Sequence, residues 1–179
     1  RLGRESNSPF ALAIIQVLLG TVALATAHYG EACQYLRTGV GIFEGLSERN
    51  LVGQALAWLA YAELGMGNPG QAQHALVEAL EIASSLNMQM PIMIALPACV
   101  LLMAVLGKAV RASELYALAM RYPIIATTQF VTDVVGPQMA QIVRSLPSEI
   151  RTAAEERGRS LDLAATVAEL IAELTADSS

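Results

Sequence analysis

Apolar and small residues return along this chain at two nested spacings, one helical and one of forty residues. Ala32, Ala72 and Ala112 are each followed four residues on by Leu36, Leu76 and Tyr116. Three further on stand Gly39, Ala79 and Ala119, and next to them Val40, Leu80 and Met120. Steps of four, three and one lie on a single helical stripe. The same shift superposes Leu19-Gly20, Leu59-Ala60 and Cys99-Val100. Small residues recur where two helices would approach closely, and larger ones fill the space between. Self-similarity at a fixed period of this length is the signature of a stacked repeat.

Turn chemistry separates the stripes. His28-Tyr29-Gly30, the run Gly65-Met66-Gly67-Asn68-Pro69-Gly70, and Gly107-Lys108 precede Ala32, Ala72 and Ala112. Glycine can end a helix in the left-handed conformation, and Asn-Pro-Gly favours a tight turn. The spacing predicts helix pairs at about 9–27 with 30–46, 51–66 with 69–86, and 91–106 with 109–121. Pro9 and Pro91 suit a first helical turn. A first helix packed between neighbours on both sides can be apolar almost all round.

After Pro123 the phase is lost. The β-branched stretch 124–135 reads as an irregular turn or short helix, Gly136-Pro137 as punctuation, and 138–146 as a short helix. A helix from Pro147 to Arg157 is expected to close at Gly158, with Ser160 capping a last helix over 161–174 helped by Asp162. Leu163, Val167, Leu170 and Leu174 form a stripe that must pack on something, as a capping helix would. Residues 175–179 read as a frayed tail.

Composition narrows the class. The chain has 179 residues, enough for a substantial core, and is 54% hydrophobic but only 5% aromatic. Its apolar content is mostly Ala, Leu, Val and Ile, which favours helix over sheet. The formal charge of −5 disfavours a phosphate-binding surface, so no nucleic-acid partner is expected. Cys33 and Cys99 make no metal-ligand pattern and read as buried hydrophobes in a reducing cytoplasm. Residues 1–10 lack the features of a signal peptide. A chain opening on Arg rather than Met reads as part of a longer protein. The charge-free stretches 9–27 and 88–107 approach the ~20 residues of a membrane span. Gln16, Thr21 and Thr26 interrupt the first, and Pro91 and Pro97 the second. Both lack basic or aromatic flanks and share one phase of the repeat, so no membrane partner is expected.

The pattern resembles the tetratricopeptide repeat, in which Leu-Gly in a first helix is followed by a turn Gly, an Ala opening the second helix, an aromatic, and Ala-Leu. Leu59-Ala60, Gly67, Ala72, Leu76 and Ala79-Leu80 match best, within a resemblance over about 13–123. The chain departs in its 40-residue period, against 34, and in lacking most of the family's Trp and Pro positions. The run 157–168 is similar to the C-terminal sensor region of large bacterial signalling ATPases, the LuxR-type and maltose-activator-like regulators. The resemblance implies an all-α fold of antiparallel hairpins stacked as a superhelix of about three repeats over 1–123, with capping helices over 124–179.

It also implies a concave groove on the first helices: Ile14, Val17, Thr21 and Leu24; then Gln54, Ala57, Tyr61 and Leu64; then Ile94, Pro97, Leu101 and Val105. That surface is mostly apolar. It is expected to be covered by the C-terminal helices or by other parts of the protein; the sharper reading is that it receives an apolar helix or a small hydrophobic effector. No catalytic constellation, cofactor motif or metal set is found. Gly39-Val40-Gly41 with Gly45 has the wrong spacing for a dinucleotide loop, and Gly67-Asn68-Pro69-Gly70 lacks the Lys-Ser/Thr of a phosphate loop. His28 and His74 stand without an acid partner, and Glu78, Glu81, Glu155 and Glu156 read as solvated faces.

The expectation is a non-catalytic interaction or sensor domain of a cytoplasmic bacterial regulator. Its partner would be its own other domains, another protomer, a protein helix or a hydrophobic effector. The alternatives are a scaffold segment of a multidomain cyclase or kinase and a stand-alone peptide-binding adaptor.

Overall fold

The computed structural model describes residues 8–176, and among these the chain is helical with no strand. Three hairpins come first: α1 (Pro9–Ala25) with α2 (Tyr29–Gly45), α3 (Arg49–Gly65) with α4 (Pro69–Leu86), and α5 (Gln89–Val105) with α6 (Ala109–Ala119). Their boundaries depart from the expected ones by at most two residues. A short α7 (Pro123–Ala126), a π-helical turn (Val131–Val135), α8 (Gly136–Ser145), α9 (Ser148–Ser160) and α10 (Leu163–Ala176) complete the chain. Residues 177–179 of the expected tail lie outside the described residues, while Thr175 and Ala176 belong to α10.

Each helix packs on its hairpin partner, and α2 and α4 also pack on the first helix of the following hairpin. The repeated small positions explain how. Ala32, Ala72, Ala112, Ala79 and Ala119 are completely buried, as are Leu36 and Leu76. A Cβ added at Gly39 would lie 2.9 Å from Val17, and one at Gly20 would lie 2.6 Å from Leu36. Close approach of backbones is thus written into the small residues, and the leucines fill the layer between.

The backbone carries the same forty-residue period. Ala27, Gly67 and Gly107 close the three hairpins with φ of 58°, 75° and 75°. Ser47 and Asn87, again forty apart, make the links between hairpins with φ of 60° and 51°. The left-handed residue of the first hairpin is therefore Ala27, and Gly30 lies inside α2.

Beyond Pro123 three expectations are corrected. Gly136-Pro137 does not punctuate: the π-helical turn runs directly into α8, with the Gly136 N–H donating to the Val131 carbonyl five residues back. A π turn inserts one extra residue and locally widens the helix, so the chain passes through Pro137, which has no N–H, without a break. Gly158 does not end α9 either. It lies within the helix because a Cβ there would meet the Glu114 carbonyl oxygen and Ala117 of α6. Finally, α10 begins after Asp162, whose Oδ1 accepts the Ala165 N–H at 2.9 Å. Asp162 is the cap, while the Ser160 hydroxyl turns back to the Arg157 carbonyl.

The expected stripe of α10 is largely buried, with Val167, Leu170 and Leu174 in the core against α4. α9 packs along α6. Arg111 of α6 binds Glu114 and reaches Glu169 and Glu173 of α10, Lys108 also meets Glu173, and Arg157 of α9 meets Glu114. Among the described residues no helix is long and apolar enough to cross a membrane. Pro97 lies inside α5, buried, rather than ending it.

Candidate functional site: an apolar face closed by Phe130

The expected groove positions fall on α1, α3 and α5, and the structure sorts them into two groups. Leu24, Tyr61, Leu64, Leu101 and Val105 share one small cavity of about 70 Å³. Tyr61, Ile94 and Pro97 share a second, of about 190 Å³, with Trp58. Ile14, Val17, Thr21, Gln54 and Ala57 line neither. Val17 packs towards Gly39 of α2, the Thr21 hydroxyl bonds the Leu18 carbonyl of its own helix, and Ala57 is completely buried. These two cavities are lined by α3, α5 and the end of α1 together with the Phe130 segment.

Phe130 closes this face. It stands edge-on to Trp58 and to Tyr61, with ring centroids 5.4 and 5.0 Å away, and it borders both cavities. Edge-to-face pairs of this kind contribute about 0.5–1.5 kcal/mol each beyond their buried area. Val131, Ile124 and Ile125 extend the contact in the second cavity, and Val134 and Gln138 in the first. The segment from α7 through the π-helical turn thus lies on α5. Among the described residues this segment covers the part of α3 and α5 that carries Trp58, Tyr61 and Pro97.

Phe130 escaped the sequence reading because it follows the loss of the repeat, where no phase relates it to α3. The available signal was compositional. In a chain with one Trp and three Phe, Trp58 and Tyr61 one helical turn apart are an aromatic pair that calls for a partner.

One polar feature inside the array also had no signature in the sequence. Glu63 is 1% exposed; Arg37 Nη2 of α2 lies 2.5 Å from its Oε1, and Asn68 Nδ2 donates to Oε2 at 3.0 Å. A buried carboxylate satisfied by an Arg and an Asn ties the first hairpin to the turn of the second. Burial, reinforced by the charge of Glu63, pushes the Cys33 thiol up to about 11. Burial, with Glu173 second, pushes Cys99 up to about 12. Both thiols are free, buried and held in the unreactive protonated form. Burial also raises the Tyr61 phenol well above its ordinary value. For Arg111, burial pulls the pKa down but the hydrogen bonds it donates to Glu114 and Glu169 and the charge of Glu173 outweigh it, leaving it raised.

A third cavity of about 330 Å³ lies between α6, α8 and α9, walled by Tyr116, Met120 and Met139, with the Glu155–Arg159 pair among its lining residues. His28 sits at the first turn with its Nδ1 2.8 Å from the Thr26 hydroxyl, and His74 is exposed on α4. Among the described residues no group of three His, Cys, Asp or Glu side chains could hold a metal ion. Comparison with known proteins finds no matching family model, no matching curated protein and no matching solved structure.

Proposed function

We propose that this chain is a non-catalytic interaction and sensor domain, a tetratricopeptide-like superhelix serving a larger bacterial regulatory protein. In this reading the face formed by α3 and α5 accepts an apolar helical segment or a small hydrophobic effector, which displaces the chain's own Phe130 segment. The observation that carries the reading is Phe130 itself, seated between Trp58, Tyr61 and two apolar cavities. A surface that holds one short apolar segment through aromatic contacts suits another of the same chemistry.

The mechanism is a shift between two arrangements. With Phe130 in place the face is closed; a ligand that binds only the open form shifts the population by its differential affinity. The π-helical turn next to Phe130 supports this, since such turns recur at functional sites and give the segment an alternative hydrogen-bond register.

Trp58, the single tryptophan, reports on the site directly. Titration with 12-bromododecanol should quench its emission saturably, because bromine quenches indole only on contact. Phe130→Ala should tighten binding about ten-fold if the closed form dominates by about nine to one. Phe130→Leu, a milder truncation, should fall between. Quenching that does not saturate, or that is equal in all three proteins, rules the reading out.

A further inference from the structure

Helix α1 contains no charged residue and leaves apolar side chains uncovered along its length. Leu12, Ile15, Leu18, Leu19 and Val22 are between 41% and 62% exposed. Shifted by forty residues, four of these positions become Val52, Ala55, Leu59 and Ala62, all buried in α3. Shifted by eighty they become Ile92, half-buried, and Ala95, Cys99 and Leu102, which are buried in α5. α3 and α5 each have a preceding second helix packed on them, α2 and α4. On α1 the equivalent face has no such neighbour among the described residues.

We propose that a second copy of this chain covers it, α1 packing antiparallel on α1 across a two-fold axis. The residue sizes favour this over a further helix of the same array. Inside the array the close-approach position is alanine in both helices, Ala55 and Ala95. In α1 it is Ile15, so a neighbour could not approach there as closely as α2 approaches α3. The exposed stripe Leu12, Ile15, Leu19, Val22 keeps the three-four-three steps of the array but carries large branched side chains throughout, which suit a two-helix seam.

Symmetry points the same way. A two-fold contact needs only one self-complementary patch, whereas head-to-tail stacking needs a matching surface at the other end of the array. At that end α9 already lies along α6 and α10 along α4. Two copies of a chain with net charge −5 repel at long range, and the uncharged α1 is where they can meet without opposing like charges. Antiparallel α1 helices also bring opposite dipole ends together. A seam of one helix, about 25 Å long, lies at the small end of specific interfaces, which sets the dimer constant on the order of micromolar.

Sedimentation equilibrium of the intact chain from about 1 to 200 µM brackets that range. The expected result is a mass rising from 19.0 kDa towards twice that value. Ile15→Glu with Val22→Glu should stay monomeric throughout, with unchanged helicity and thermal midpoint because both side chains face outward. Leu18→Cys, flanking the seam near its centre, should form an intermolecular disulfide in air, whereas the parent chain should not, its own thiols being buried. A monomer at the highest concentration overturns the proposal, and so does a dimer that survives both glutamates. Neither result touches the Trp58 quenching assay, so failure here is distinct from failure of the groove reading.

Discussion

The hydroxyl of Tyr61 in α3 donates a 3.0 Å hydrogen bond to the main-chain carbonyl of Ile94 in α5, one turn before the proline at position 97. Pro97 has no N–H for the Met93 carbonyl, and its ring crowds the preceding turn. The bond from Tyr61 gives that disturbed turn a partner from the neighbouring hairpin and fixes the face on which Phe130 sits.

Tyr61→Phe should therefore lower stability by about 1 kcal/mol, the ordinary net value of one such bond, while keeping the ring contacts. Tyr61→Ala removes the ring as well and should cost about 3–5 kcal/mol. Urea unfolding followed by far-UV circular dichroism separates the two. Equal losses would place all of the effect in the hydrogen bond.

Gly158→Ala should be among the most damaging small substitutions in the chain. The added methyl would meet the backbone carbonyl of Glu114, which cannot swing aside, so the cost should reach about 3 kcal/mol, the upper end for overpacking. Gly20→Ala makes the instructive contrast. There the added methyl meets the buried Leu36 side chain rather than a backbone atom, and the loss should be smaller, about 2 kcal/mol. The ranking of the two unfolding midpoints is the check.

Ala27→Gly should stabilise the chain by about 1 kcal/mol. Ala27 holds φ at 58°, a conformation that costs a residue with a Cβ about 1–2 kcal/mol and glycine almost nothing. Gly67→Ala, at the equivalent position of the second hairpin, should lose a similar amount. A thermal midpoint that moves the same way for both substitutions would contradict the strain argument.

Stability should fall as the solution turns alkaline. A thiol that is neutral when protonated, and harder to ionise when folded, contributes fully below its unfolded value near 9.0. That contribution is lost as pH rises through about 11 for Cys33 and about 12 for Cys99. Between pH 9 and 11 each thiol should steepen the loss by about 1.4 kcal/mol per pH unit. Cys99→Ala should flatten the slope, and Ellman's reagent at pH 8 should react with neither thiol until urea unfolds the chain.

Much of this arrangement is written locally. Ala32, Ala72 and Ala112, with their leucines four residues on, specify helices and their contact stripes, because spacing along one helix decides which side chains share a face. Gly67, Gly107 and Asn87 likewise announce left-handed turns, since these residue types tolerate that backbone most readily. Ala27 and Ser47 take the same conformation without being the preferred types, and only the packing of the hairpins imposes it on them.

What lay beyond the local pattern was decided by the tertiary structure. Gly158 serves the approach of α9 to α6 rather than ending a helix, a distinction that depends on a neighbour forty-four residues earlier. Phe130 reaches Trp58 and Tyr61 only because the non-repeating segment after Pro123 lies on α5. Periodicity along the chain therefore determined the hairpins and their order. Which faces are closed, by Phe130 on α3 and α5, and which is left open on α1 among the described residues, was decided by contacts between residues with no common phase.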